Sequence, residues 1–501
     1  MFRDSIIPPI KRIYTPILLA GWIILLAILI KDRYFNNNLD YRYISLDTGI
    51  KSIPTDSEWM IIYNHGKKLG YAVNSIFNRG LDGYGINSTS WMKTVVAGFE
   101  ANITLENHVS LDTLFRLESF DFRLLSDQFT THVTGQKIGS LLKIAIIHGK
   151  DTSYSEYSVP EELSTYLGIQ PLITQQGIKK GDRIKIPAFD PVAMEMDEVE
   201  VIHEGRETLL INGVELDLNR IRVTFKGIPV TRWLDDSGLT WREETIMGMM
   251  MERTTPEDAL DMENMETSGV DLLDVYAIPS DISIRNPSEL SELILQFDGI
   301  DPAYFHQLDS PRQAILQDYP LQIRLRPVGS FDDNTNTTQY LMGSDIIQPY
   351  HPRIIETVGK IINDRDSATE KAEKIRRWVY RTLQKLLVVS LASAVEILNL
   401  KKGDCSEHTT LYTSLSRSAS IPTKIHVGLV YLNGKFYYHA WPVVWIDTKW
   451  VSIDPTLDQR IADATHIALL ETDYSNLSDL VPVLGRISIK VISQTYEKET
   501  Q

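Results

Sequence analysis

The residues of this sequence that could do covalent chemistry are its single cysteine, Cys405, and two residues that follow it, His439 and Asp454. The intervals between them are 34 and 15 residues. A cysteine thiolate is a nucleophile, a histidine can exchange protons with it, and a carboxylate can hold the imidazole in one tautomer. A lone cysteine cannot form an internal disulfide, so it is either a small buried hydrophobe or a working thiol. The polar neighbours of Cys405 favour the thiol, and the set predicts acyl transfer through a thioester.

The residues around Cys405 predict a helix that begins at the cysteine. Gly403 permits an unusual backbone angle, Asp404 can cap the helix, and apolar residues then recur at helical spacing until Pro422. In a first helical turn, unsatisfied backbone N–H groups and the positive end of the helix dipole stabilise a thiolate. We therefore expect Cys405 to be an activated nucleophile, with its own backbone N–H as half of an oxyanion hole.

Three strands are predicted after this helix, with hairpin turns at Asn433-Gly434 and Asp447-Thr448. His439 lies on the second strand and Asp454 at the end of the third. Neighbouring antiparallel strands are about 4.8 Å apart, so a histidine and an aspartate on them can hydrogen-bond side by side. Packed beside the helix start, the strands would bring nucleophile, base and orienting carboxylate into line.

Three short motifs resemble the transglutaminase-like superfamily, which has a papain-like cysteine fold. They are GDCSEHT around Cys405, HAW at His439 and WVSIDPT around Asp454, and the resemblance covers roughly residues 350 to 470. It implies a catalytic triad of Cys405, His439 and Asp454, and bacterial members of such families are more often hydrolytic than crosslinking. The IPTK segment after the cysteine helix also looks like the family's exit from that helix, but it has Ser420 and Lys424 where Gly and Arg are usual. The upstream oxyanion side chain of the family has no counterpart here.

A metal site is the alternative use of these residue types. Cys405, His408, His426, His439 and Asp454 could ligate an ion, but no paired spacing such as C-x-x-C or H-x-x-x-H occurs among them. We therefore predict no metal and no cofactor. His408 is expected on the surface or in packing, and Trp441 is expected to pack beneath His439.

The rest of the chain predicts an α+β protein with a long sheet region. Apolar and polar residues alternate from about residue 57 to 255, with turn signals roughly every ten residues, which is typical of antiparallel hairpins. Helical spacing begins only after residue 344, with one buried face on Ala372, Ile375 and Val379 and a second helix from Ala392 to Leu400. The predicted segments are a cytoplasmic stub and membrane anchor (1–38), a β-rich domain (39–270), a connecting region (271–343), the catalytic domain (344–480) and a C-terminal strand and tail (481–501).

The first segment contains 18 uncharged residues, Ile13 to Ile30, which is enough to span a bilayer. No A-x-A-like cleavage site follows, so the sequence predicts an uncleaved single-pass anchor. Three basic residues precede the span and two follow it closely, which favours a cytoplasmic N-terminus. The body of the protein is then expected outside the cytoplasm, in a periplasm or at a cell surface. This layout resembles bacterial membrane-anchored proteins with a β-rich region before a transglutaminase-like domain.

Composition limits the function classes. Of 501 residues, 50 are basic and 66 acidic, and a net charge of −16 disfavours nucleic-acid binding. A mean hydropathy of −0.14 excludes a polytopic membrane protein. The sequence predicts a membrane-anchored cysteine enzyme that acts on a carboxamide or peptide bond of a protein or peptide substrate, with hydrolysis favoured over crosslinking. The alternative is a non-catalytic envelope binding or scaffold protein with an inactive transglutaminase-like domain.

Overall fold

The computed structural model of this chain describes residues 42–43 and 57–496, with gaps at 97–98, 127–129, 149–150, 177–178, 191–194, 226–227, 246–247, 262–276, 332–335, 386–391 and 475–476. The anchor predicted at Ile13–Ile30 lies outside the described residues. Within these ranges, no helix combines the length and apolar character needed to cross a bilayer.

The alternating sequence of the first half forms one large sheet, as predicted. Its described strands are β1 (Arg42–Tyr43), β2 (Glu58–Asn64), β3 (Lys67–Asn78), β4 (Tyr84–Val96), β5 (Phe99–Leu111), β6 (Leu117–Ser126), β7 (Thr130–Ile138), β8 (Leu141–His148), β9 (Asp151–Ser158), β10 (Ser164–Thr165), β11 (Arg183–Asp190), β12 (Glu195–Ile211), β13 (Val214–Phe225), β14 (Ile228–Leu234), β15 (Thr240–Thr245) and β16 (Met249–Arg253). Two short helices accompany them, α1 (Ile169–Gln176) and α2 (Pro256–Leu260), with 3-10 turns at Gly80–Asp82 and Tyr166–Gly168.

This sheet is two antiparallel meanders joined edge to edge. Strands β2 to β9 form one meander and β11 to β16 the other, and β16 pairs with β2 to join them. The sheet curls until strands from the two meanders face each other: the Phe189 ring on β11 lies 5.7 Å from Phe120 on β6 and 5.9 Å from Tyr157 on β9. Apolar side chains from both meanders therefore share one core.

In the described residues, the C-terminal half contains three further sheets, one of them only a parallel pair of short strands, and most of the helices. Its strands are β17 (Ile278–Pro279), β18 (Leu290–Asp298), β19 (Gln313–Asp318), β20 (Leu321–Leu325), β21 (Ser330–Phe331), β22 (Gln384–Lys385), β23 (Lys402–Gly403), β24 (Thr423–Leu432), β25 (Lys435–Ile446), β26 (Lys449–Ser452), β27 (Ile467–Thr472) and β28 (Ser488–Tyr496). Its helices are α3 (Ala303–His306), α4 (Pro352–Ile361), α5 (Ala368–Thr382), α6 (Ala394–Leu400) and α7 (Cys405–Ser418), with 3-10 segments at Pro287–Glu289, Thr337–Leu341 and Leu477–Val483.

The main sheet of this half runs β21-β26-β25-β24-β27, and β17 adds to β25. Both predicted hairpin turns are present, with positive φ at Asn433, Gly434, Asp447 and Thr448. Such angles at both central residues are typical of two-residue turns that match strand twist. The predicted helix face is also present, since Ala372, Ile375 and Val379 of α5 are buried.

Strand β28 returns to the connecting region and completes a small sheet of order β19-β20-β18-β28. This sheet packs against the main sheet, so that Leu295 and Phe297 of β18 share a core with Leu429, Phe436 and Ile467. The connecting region and the C-terminal strand, predicted as separate segments, therefore share one core with the domain that carries Cys405.

Candidate active site

Cys405 is the first residue of α7, as the sequence predicted. The Asp404 carboxylate accepts a hydrogen bond from the Ser406 N–H at 2.8 Å, and the Asp404 N–H donates to the Glu407 carboxylate at 2.8 Å. This reciprocal capping box satisfies N–H groups that the first turn leaves without partners. Gly403 is needed because a Cβ there would lie 2.2 Å from the Glu407 Cβ. Gly403, Asp404 and Glu407 together thus fix the start of the helix.

Helix α7 holds the cysteine rigidly because the helix is the centre of the domain. All of its residues from Glu407 to Arg417 are buried. The Thr409 hydroxyl donates to the Ala440 carbonyl on β25 at 3.0 Å, and the Tyr412 hydroxyl donates to the Ala372 carbonyl on α5 at 3.3 Å. The helix is therefore tied to the sheet on one side and to its neighbouring helix on the other.

The surroundings of the thiol do not favour its charged form. Burial raises the pKa of Cys405 well above its ordinary value, and the negative charges of Asp404, Glu407 and Asp454 add to this, while a hydrogen bond from the Ala440 N–H to the sulfur opposes it. Burial is the largest of these effects, so the direction of the pKa shift is opposite to that expected for a resting thiolate at the helix start. The cysteine is still partly exposed, so a substrate can reach it.

His439 lies on β25, one residue before Ala440, and is buried. Its Nε2 lies 2.8 Å from Asp454 Oδ2, which is the side-by-side pairing expected from neighbouring strands. The Nδ1 atom is the other ring nitrogen available for proton exchange. Trp441 is fully buried, with its ring nearly parallel to the His439 ring at 6.1 Å, so it packs against the histidine as predicted.

Asp454 is fully buried, and both of its carboxylate oxygens lie within hydrogen-bond distance of nitrogen atoms. Its Oδ1 accepts backbone N–H groups of Thr456 at 2.6 Å and Leu457 at 2.9 Å. Burial alone would raise the pKa of Asp454, but the charges and hydrogen bonds of His439 and His466 hold that pKa well below its ordinary value. Asp454 is therefore an ionised, fixed orienting group for His439.

His466 also lies in the site, although it was not predicted from the sequence. Its Nε2 lies 3.0 Å from Asp454 Oδ2, and its Nδ1 lies 3.2 Å from Asp463 Oδ1, in a completely buried position. Burial lowers the pKa of His466, but the hydrogen bonds to the two carboxylates outweigh burial and raise it. Both ring nitrogens face carboxylate oxygens, which accept and do not donate, so the charged imidazolium satisfies both contacts. The result is a row of alternating acids and histidines: Asp463, His466, Asp454 and His439.

Within the part of the chain that the structure describes, His439, Asp454 and His466 also form a group whose ligand atoms lie within 4.8 Å of one another. The two nitrogen–oxygen distances of 2.8 and 3.0 Å are hydrogen-bond distances, and both involve the same carboxylate oxygen. The arrangement therefore fits a proton-bearing network better than a metal site. His426, another of the residues that could ligate an ion, has its Nε2 3.7 Å from Glu471 Oε2.

His408 does not face the nucleophile as a free base. It is fully buried, and its Nδ1 lies 2.6 Å from the Asp404 carbonyl oxygen. Burial lowers the pKa of His408, which keeps the ring neutral. It is a packing residue, one of the two roles expected for it. Tyr474 also supports the helix, because its hydroxyl donates to the Ser406 carbonyl at 3.2 Å.

One comparison with known proteins matches the segment that contains this site. Residues 355–455 match a family model described as transglutaminase-like superfamily. No functionally curated protein matches the chain. Among solved structures, a candidate cysteine protease from Cytophaga hutchinsonii is 15% identical, with a TM-score of 0.27, over 41% of this chain and 85% of that one.

Two further solved structures are similar at the same low level. The periplasmic domain of TgpA from Pseudomonas aeruginosa is 14% identical, with a TM-score of 0.24, over 33% of this chain and 66% of that one. A β-barrel-like protein of a domain of unknown function from Brucella abortus is 10% identical, with a TM-score of 0.30, over 41% of this chain and 98% of that one. Within the present chain, the segment that matches this transglutaminase-like family model contains Cys405, His439 and Asp454.

Proposed function

We propose that this chain is a cysteine enzyme that cleaves a carboxamide or peptide bond through a thioester acyl-enzyme. The single observation that carries the proposal is the arrangement at the start of α7. The Cys405 sulfur accepts a hydrogen bond from the Ala440 N–H, the residue before Ala440 is His439, and His439 Nε2 lies 2.8 Å from Asp454 Oδ2. Nucleophile, base and orienting carboxylate are thereby held by one helix and one sheet.

In the proposed reaction, the thiol loses its proton as it attacks, because its raised pKa leaves it neutral at rest. His439 takes this proton while the sulfur bonds to the substrate carbonyl carbon, and the resulting oxyanion lies at the Cys405 backbone N–H. His439 then protonates the leaving amine, and the thioester remains. Water or an amine releases the acyl group, and hydrolysis is the proposed outcome.

We also propose that Ile13–Ile30 anchors the chain in a membrane with the body outside the cytoplasm. The substrates would then be proteins or peptides of the cell envelope. The support is the uncharged run itself and the basic residues before it.

The test is digestion of a peptide library by the full chain, beside Cys405→Ala and His439→Asn, with a fluorescent primary amine present in a parallel reaction. We expect cleavage or ammonia release by the parent and none above background by either variant. Amine incorporation at the expense of hydrolysis would identify a crosslinking enzyme. Identical products from the parent and Cys405→Ala would refute cysteine catalysis.

A second proposal is a non-catalytic binding module, and one observation favours it. Burial of the thiol raises its pKa, and the charges of Asp404 and Glu407 add to this, which is the opposite of the activation that a nucleophile needs. Under this alternative, Cys405→Ala and the parent would be indistinguishable in every turnover assay, whereas both would bind the same envelope ligand.

A further inference from the structure

The β-rich domain contains a cavity that the proposed chemistry does not use. Its volume is about 410 Å³, and it lies between the two meanders of the curled sheet. One wall comes from β5 and β6 and the opposite wall from β13, β14 and β15. Representative lining residues are Leu105, Val109, Phe120, Phe122, Phe225 and Val230.

The size of this space is not that of a packing defect. Protein interiors contain few voids larger than a water molecule, and an engineered apolar cavity of about 150 Å³ already binds benzene. Since one water molecule takes about 30 Å³ of liquid, 410 Å³ has room for roughly a dozen groups of methylene size. An extended aliphatic chain fits this volume.

The charges near the cavity exclude an ionic ligand group inside it. Its one lining carboxylate, Glu243, accepts a hydrogen bond from Arg232 Nε at 2.6 Å, and both residues are buried. The Arg232 guanidinium also lies over the Tyr166 ring at 4.7 Å. This pair is complete within the protein, so an anionic or cationic headgroup would find no counter-charge there.

We propose that this cavity binds the acyl chain of a lipid, with the polar headgroup left outside the sheet. Apolar lining supplies the affinity, and the aromatic rings of Phe120 and Phe122 supply flat surfaces against which methylene groups pack. The chain source is either a free fatty acid or a bilayer phospholipid, which share this chemistry.

The test uses the full chain in amphipol and two photoreactive probes. One is palmitic acid with a diazirine in its chain, and the other is phosphatidylcholine that carries the same diazirine acyl chain, presented in vesicles. We expect irradiation to label peptides from β5, β6 and β13 to β15. Labelling by the fatty acid alone or by the phospholipid alone identifies the source, and either result supports the acyl-chain site.

Two substitutions on β5 distinguish binding in the cavity from binding to the outer face of the sheet. Leu105 lines the cavity, whereas Thr104 is on the opposite face of β5 and pairs across strands with Trp91. Leu105→Trp should lower labelling at least about fivefold, because the indole fills part of the space, and Thr104→Trp should not. Val109→Phe, with thermal unfolding of every variant, distinguishes a filled cavity from a misfolded domain. Labels confined to outer-face residues, or unchanged by folded Leu105→Trp and Val109→Phe proteins, would overturn the proposal.

Discussion

Asp404 has two opposed effects at the residue scale. Its carboxylate caps α7 and so places Cys405 at the helix start, but its negative charge raises the pKa of the thiol. A neutral residue that still caps would separate these effects. Asparagine is such a residue, because its side-chain oxygen is as good a cap as that of aspartate.

We therefore expect Asp404→Asn to make Cys405 more reactive without unfolding the helix. Removal of one nearby charge lowers the pKa of the thiol and so increases the thiolate fraction at a given pH. The measurement is the rate of alkylation by iodoacetamide at pH 7, and Cys405 is the sole thiol in the chain. The exposed Asp364→Asn is the matched control and should leave the rate unchanged.

The raised pKa of His466 in the folded state makes its contribution to stability depend on pH. Its folded-state pKa is raised, so its contribution is fully present below about pH 6.5 and is lost as pH rises through the folded-state pKa. The pKa of Asp454 is lowered, so its contribution is present above about pH 3.9 and is lost as pH falls further. The network therefore stabilises the fold most between these limits.

We expect His466→Gln to lower the free energy of unfolding by about 3 to 5 kcal/mol at pH 5, because two buried carboxylates lose their cation. The loss should be smaller at pH 9. Urea unfolding at both values measures this difference. His306→Gln is the control, since its pairing with Asp318 at 3.3 Å is exposed, and an equal effect of the two substitutions would contradict the buried network.

The sequence could predict His439 and Asp454 of this row, and Cys405 beside it, but neither His466 nor Asp463. Cys405, His439 and Asp454 each stand in a recognisable local motif. His466 lies in a loop just before β27, and only the fold brings that loop beneath Asp454. The raised pKa of the thiol could not be predicted for a similar reason, because its main cause, the burial of Cys405, is a tertiary property.

At the scale of elements, the start of α7 depends on close backbone approach at Gly403. We expect Gly403→Ala to destabilise the domain by about 1 to 3 kcal/mol, because the new methyl group would meet Glu407 Cβ and disturb the cap. Thermal unfolding and the alkylation rate of Cys405 would both report this change.

The control is Gly359→Ala on α4, where an added Cβ meets nothing within 4 Å. Alanine is the better helix former by about 1 kcal/mol, so this variant should unfold at a slightly higher temperature. If both alanine variants were equally stable relative to the parent, the close approach at Gly403 would not matter.

Elements with local signals were predictable from the sequence. The cap of α7 and the hairpin turns at Asn433 and Asp447 are each encoded by a few adjacent residues. The pairing of β28 with β18 was not, because its register is set by burial between segments far apart in the chain. The curl of the large sheet likewise depends on contacts between its two meanders.

At the scale of the whole molecule, β28 contributes to the core of the domain that carries Cys405. Ile487, Ile489 and Val491 are buried in the core that β18 shares with the main sheet. Each such side chain contributes about 1.5 to 3 kcal/mol by burial. A protein that lacks residues 487–501 should therefore lose its cooperative C-terminal transition.

Cys405 also reports this loss, because burial is the main cause of its raised pKa. We expect rapid alkylation after deletion of residues 487–501 and slow alkylation after deletion of 497–501, which retains β28. Calorimetry would show whether the C-terminal transition is missing. Slow alkylation of both truncated proteins would contradict a structural role for β28.

The same pairing sets the timing of folding during synthesis. Asp298 at the end of β18 pairs with Ser488 at the start of β28, and ribosomes add about 5 to 20 residues per second. The edge of β18 that pairs with β28 is therefore unpaired for on the order of tens of seconds during synthesis. Leu293, Leu295 and Phe297 lie on this strand and lack the side chains of β28 during that time. An open apolar strand edge is a template for aggregation. We therefore expect the nascent C-terminal half to be prone to aggregation at this edge until β28 has been synthesised.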